Sequence, residues 1–259
     1  MLRLRVEALA GALLAALSAV AQAPSPQNGA AQGLPEHEVL SFTAEWRFIH
    51  AGNARLTWAP SKSGGEGGWS ALLHLESAGL VSRLMKVDNE YSTLMNERLC
   101  AVSSLLKANE GSRRRETSVT YDGARKKAAY VERDLVKNTT VKQEIDIHTC
   151  SHDVIGALYS LRAQRLEPGR VIEIPVSDGK KAVMARVEAQ ERETVKTDFG
   201  TYKTIRYEAF LFNNVLYRRR GRLFIWLTDD ARRLPVQIRV RLPFYIGTVT
   251  LQLEKEGKA

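Results

Sequence analysis

Apolar and polar residues alternate along most of this chain. Phe42, Ala44, Trp46 and Phe48 fall on one side of a strand and Ala54, Leu56 and Trp58 on one side of the next, with His50-Ala51-Gly52-Asn53 between them as a hairpin turn. A Gly-rich loop, SKSGGEGG, leads to Trp69, Ala71, Leu73 and Leu75 at the same period of two, and further strands follow around 91–95 and 102–106. Arg115, Thr117, Val119 and Tyr121 alternate up to a turn at Asp122-Gly123. Later strands carry Ile172, Ile174 and Val176, then Val183, Ala185, Val187 and Ala189, then Ile205, Tyr207, Ala209 and Leu211, with turns at Ser177-Asp178-Gly179 and Asp198-Phe199-Gly200. The chain closes with LFIWLTDDARRLPVQIRVRL, turning at Asp229-Asp230, and a last strand, GTVTLQLEK.

Only Thr149 to Gly169 departs from this rhythm. Val154, Ile155, Leu158, Leu161 and Leu166 paint one stripe at helical spacing. Ser151 suits the N-cap, Asp153 favours the electropositive first turn, Arg162 and Arg165 favour the last, and Pro168-Gly169 stops the helix. So short a helix is marginal in water and must lie on strands. The pattern therefore predicts a mainly β fold: an antiparallel meander forming an open or half β-barrel, with one amphipathic helix packed on the concave face of the curved sheet.

Residues 1–23 carry Arg3 and Arg5, an apolar run from Ala8 to Val20 and a small-x-small ending, Ala21-Gln22-Ala23, which predicts a signal peptide cleaved after Ala23 and a periplasmic or secreted protein, with an uncleaved N-terminal anchor as the alternative. Residues 24–35 read as a disordered linker, and 36–259 as a single β-rich domain. No later segment approaches the roughly 20 apolar residues of a membrane-spanning helix.

The order of features resembles the bacterial family called domain of unknown function 3108. The resemblance rests on the AEWRFIHAGNARLTW hairpin, the helix start CSHDVIGALYSLR, the strand end DFGTYKT and the late IWLTDDARRLPVQI, and it covers the chain from about Val39 to Leu253. It implies an exported β-rich protein and assigns no catalytic residue.

Cys100 and Cys150 are the only cysteines. An exported chain with an even count favours a disulfide between them; the competing readings are free thiols or, through His148, Cys150 and His152, one side of a zinc or copper site. Charge adds a second feature. The chain has 38 basic and 29 acidic residues, and without Arg3, Arg5 and Glu7 it keeps 36 and 28, a net +8. Outside the cytoplasm such a surface meets lipid headgroups and anionic polymers, so no nucleic acid partner is expected; solvated strand faces explain the same arginines. No nucleophile elbow, HExxH, phosphate-binding loop or dinucleotide fingerprint is present, and Asp229-Asp230 reads as turn chemistry.

These features point to a non-catalytic binding or carrier module for an apolar or lipid-like ligand in the cell envelope, with Trp46, Phe48, Trp58 and Trp69 lining the concave face and no cofactor; large aromatics are core residues by default, and tryptophans that simply fill the core are the competing and favoured reading of the same residues. The alternatives are an envelope scaffold whose basic surface binds anionic polymer or a partner protein, and an enzyme with an unrecognised site.

Overall fold

The computed structural model describes residues 33–65, 67–243 and 247–257; the expected signal peptide and most of the expected linker lie outside the described residues. Fourteen strands form one antiparallel sheet. The first eight are β1 (Glu38–Trp46), β2 (Ile49–Pro60), β3 (Trp69–Ser77), β4 (Val87–Met95), β5 (Ala101–Glu110), β6 (Arg113–Asp122), β7 (Lys127–Asp134) and β8 (Thr139–Asp146). The last six are β9 (Val171–Ser177), β10 (Ala182–Thr197), β11 (Gly200–Ala209), β12 (Arg222–Thr228), β13 (Pro235–Arg241) and β14 (Thr248–Gly257). Each run is a meander, and β14 pairs with β1 to join them, so β8 and β9 are the two edges. Strand pairing does not close the sheet into a barrel, which agrees with the open form predicted from the alternation.

The first hairpin turns elsewhere than the alternation suggests. Arg47 and Phe48 form a two-residue turn with φ of 50° and 67°, and Trp46 pairs with Ile49. Two successive left-handed residues match the twist of a tight hairpin, and here the conformation is taken without glycine. Gly52 instead sits inside β2, at a bulge and so close to β3 that an added Cβ would meet the Glu76 carbonyl oxygen.

Among the described residues two α-helices, not one, interrupt the strands: α1 (Gly79–Leu84) between β3 and β4, and α2 (Val154–Ala163) between β8 and β9. Asp153, not Ser151, caps α2, its carboxylate accepting from the Gly156 amide at 2.6 Å. Ser151 folds back on His148. Gly156 lets α2 approach the Leu99 carbonyl and the Met95 sulfur, both 3.2 Å from where a Cβ would stand. Leu166 lies past the helix end, though it still packs on the core.

α2 is buried nearly all round, because two interactions pull its polar side inward as well. Tyr159 stacks on Trp58 at 3.8 Å between ring centroids, and Trp58 stacks on Trp69 at 4.8 Å. Arg162, expected at a solvated helix end, is fully buried: its two terminal nitrogens donate to both Glu38 carboxylate oxygens at 2.6 and 2.8 Å, and its Nε donates to the Arg233 carbonyl at 3.0 Å. A buried pair of this geometry gains Coulomb energy that offsets desolvation only while both partners are present. Replacing Glu38 with Gln should lower the unfolding free energy by about 3–5 kcal/mol, measured by urea denaturation, while the double change E38L/R162M should recover much of the loss. A single-variant cost below about 1 kcal/mol would show that the pair is not desolvated.

Candidate functional site

The edges β8 and β9 do not pair, and the segment leading into α2 spans the space between them. On one side Ala101 donates its amide to the Ser151 carbonyl, and a disulfide joins Cys100 to Cys150. On the other, His152 and Val176 form a parallel bridge: the His152 amide donates to the Pro175 carbonyl and the Ser177 amide to the His152 carbonyl. The disulfide reading of the two cysteines therefore holds. With that sulfur bonded, His152 turns its Nδ1 to the Leu99 carbonyl at 2.7 Å, which places the ring proton on Nδ1. Among the described residues no three His, Cys, Asp or Glu side chains are placed to share a metal ion.

The β9–β10 turn reaches the opposite limb of the sheet. Gly179, at φ 83°, sits against Val119 and Tyr130 where a Cβ would clash, Tyr121 donates its hydroxyl to the Ser177 carbonyl at 3.2 Å, and Gln143 donates to the Lys180 carbonyl at 3.2 Å. Side chains and turns thus close what backbone pairing leaves open.

Between this closure and the inner face of β3–β7 lies a cavity of about 520 Å³. Its apolar wall is built by inward positions that the strand alternation brings side by side, among them Leu73, Leu75, Leu106, Val119 and, from α2, Ile155. Four tyrosines, 91, 121, 130 and 217, also line it. Tyr91 donates to the capping Asp153 at 2.6 Å, and burial, then the Asp153 charge, push its hydroxyl well above the ordinary phenol value. Burial likewise raises Tyr217 to about 12. None of these phenols ionises near neutral pH, so they serve as donors and as apolar wall.

One end of the cavity is charged. Arg115, Glu132 and Lys180 meet there: Glu132 accepts from Tyr130 at 2.6 Å and Lys180 at 3.3 Å, and Arg115 stands 3.4 Å from Glu110 and 3.7 Å from Glu132. The Tyr130 hydrogen bond, with help from Lys180 and Arg115, holds the Glu132 carboxyl below its usual range. Arg115 Nε is the one buried side-chain nitrogen or oxygen among the described residues without a hydrogen-bond partner. The arrangement can hold a chain-like apolar group inside and an acceptor group at the Arg115 end.

Of the four aromatic residues expected to line a ligand site, only Trp58 and Trp69 are brought together, and they do not line the cavity. Trp58 is sealed in the core with Trp69 against it, in the stack that seats α2. Phe48 is 99% exposed in the first turn, and Trp46 lies beside Arg47 near that turn. The residues that do form the cavity are legible as single faces, Leu73 and Leu75 of β3, Arg115 to Tyr121 of β6 and Val154 with Ile155 of α2, but nothing in the alternation brings them together around one hollow. Which face the helix leaves unfilled depends on where α2 docks, and alternation carries no sign of that.

The sequence matches the family described as Protein of unknown function (DUF3108) over residues 41–254. The chain belongs to that family. No curated protein matches it in sequence. The DUF3108 chain is similar in fold to a β-barrel-like protein of domain of unknown function DUF1849 from Brucella abortus, with 9% identity and a TM-score of 0.53, over 87% of this chain and 99% of that one. A protein with a YmcC-like fold from Bacteroides fragilis aligns at 10% identity and a TM-score of 0.36, over 87% and 97% of the two chains.

His152 makes the segment leading into α2, the strut between the two limbs of the sheet, sensitive to acid. Burial holds its imidazole below the ordinary 6.5, with the Leu99 carbonyl and Asp153 opposing the effect and Arg98 adding to it. The unfolded chain therefore takes up a proton first, so stability is full above about pH 6.5 and falls as pH drops toward the lower folded value. Urea midpoints at pH 7.5 and 5.5 should differ in the native protein and differ less in His152→Asn; equal pH dependence in both would place the titration elsewhere.

Proposed function

We propose that this DUF3108 protein is a non-catalytic, extracytoplasmic binding module for an amphiphile with an apolar chain and an acidic head. The observation that supports this reading best is the cavity beneath the α2 entry. Its volume lies in the range of small-molecule sites, its wall is mainly apolar, and its charged end, where Arg115 and Lys180 meet Glu132 and Asp178, includes a buried guanidinium nitrogen that has no hydrogen-bond partner. In the free protein Glu110 and Glu132 share the charge of Arg115 loosely, and an acidic headgroup would compete with them at shorter range. A disulfide between the only two cysteines, together with the arginine-led apolar run before Ala23, fits export to an oxidising compartment.

Native mass spectrometry of protein secreted from a bacterial host should show added lipid-sized mass that organic extraction removes. In titrations with a fluorescent long-chain fatty acid, Leu106→Trp, which fills the cavity, should abolish binding, and Arg115→Ala should weaken it by about tenfold, as expected for a lost hydrogen bond to a charged group. Unliganded protein with no affinity for the acid, or equal affinity in L106W, would remove the reading.

A further inference from the structure

The sheet has two ends, and the connections between strands divide between them. The cavity's charged residues lie toward the end carrying the β1–β2, β3–β4, β5–β6, β7–β8, β9–β10 and β11–β12 connections. Those six connections, residues 47–48, 78–86, 111–112, 135–138, 178–181 and 210–221, contain nine Lys or Arg and one acidic residue, Asp178. At the other end the connections 61–68, 96–100, 123–126, 147–170, 198–199 and 229–234 contain nine basic and seven acidic residues. The charge excess of the protein is thus concentrated on one rim.

The same rim holds exposed apolar side chains. Among the described residues seven of the thirteen exposed large hydrophobics sit there: Phe48 and Ile49 at the first turn, three on and beside α1, and Leu135 with Val136 in the β7–β8 turn. Phe48 is 99% and Leu84 81% exposed. α1 has only six residues, none of them buried, and is held by its flanks: Ala78 donates its amide to the Ala51 carbonyl at 2.8 Å, which places α1 beside the start of β2 near Phe48. Arg83 and Lys86 stand among these apolar residues, are exposed, and form no ion pair with any described residue. The run Arg218-Arg219-Arg220 is likewise exposed at the same end.

We propose that this rim docks on an anionic lipid bilayer, with Phe48, Leu80 and Leu84 entering the interface and the surrounding arginines and lysines on the headgroups. A purely anionic polymer would complement the charge but leave the apolar tips in water. A protein partner would be expected to meet a contiguous apolar patch, whereas here apolar tips and cations alternate along the rim, the composition that suits a headgroup layer over hydrocarbon. Docking at this end also sets the charged end of the cavity toward the membrane. Bilayer binding does not depend on the proposed amphiphile and holds for an empty cavity, so the two readings fail separately.

Sedimentation of the purified protein with phosphatidylglycerol/phosphatidylcholine vesicles, and with phosphatidylcholine alone, tests the proposal. Binding is expected on the anionic vesicles only and should weaken as salt is raised from 50 to 500 mM, as roughly a threefold shorter screening length requires. The double variant F48E/L84E should lose binding by about tenfold or more, since two exposed apolar tips each contribute to insertion; R218A/R219A/R220A should weaken it, and R125A/K126A at the other end should leave it unchanged. Thermal unfolding of each variant should match the parent, because every changed residue is exposed. Equal affinity for neutral vesicles, undiminished binding by F48E/L84E, equal loss in R125A/K126A, or wild-type self-association that F48E/L84E removes would each overturn the proposal, the last in favour of a contact between copies.

Discussion

A guanidinium leaves water only when its donors are matched, and Arg162 leaves it completely. Glu38 at the start of β1 takes two of its hydrogen bonds and the β12–β13 turn takes another through the Arg233 carbonyl, while Tyr159, one turn back on α2, donates to the same carboxylate. Three regions far apart in sequence thereby meet on one side chain. The Coulomb gain does not by itself make such a pair a net stabiliser; its effect is to make any other docking of α2 costly, since a shifted helix would strand a charge in the core. That constraint decides which half of the concave face is filled.

The filled half lies under β1–β3 and β9–β14, where Trp58, Tyr159, Leu161 and the inner residues of the late strands form the main core. The other half lies under β3–β7, with its own smaller cluster around Val119, Tyr121 and Tyr130. Residues 150–153 separate the two, held by the disulfide at one side and the His152 bridge at the other. A cavity survives there because the strut keeps the limb of β5–β8 from collapsing onto the rest, while Gly179 brings the β9–β10 turn close enough to wall it. Function, on this view, follows from incomplete packing under a rigid cover.

The alternation of strand residues was a reliable guide to faces: the inward positions of β2, β3, β6 and β10 are those the period of two assigns. Turn position was less legible. Arg47-Phe48 adopt left-handed geometry without glycine, so Ala51-Gly52 looked like the better turn when that glycine in fact serves close strand approach. β8 is not visible in the sequence, because most of it is exposed on both faces and shows no apolar period, while in β7 only Ala128 and Tyr130 alternate inward, too short a run to stand out. Arg162 carried the pattern of a helix-end cation, and only its distant partner Glu38 makes it a core residue. The tryptophans were legible as large apolar groups, but whether such a group fills a core or lines a hollow depends on the docking of α2.

A rigid α2 clamp leaves a ligand-sized hollow beside it. Its most direct measurement is a crystal structure of the protein grown with a long-chain fatty acid brominated at its terminus, read by the anomalous signal of bromine. A single peak among Leu73, Leu106 and Val119, with the carboxylate near Arg115, is the expected result. A hollow closed by inward movement of β5–β7, with no bromine inside it, would contradict the claim.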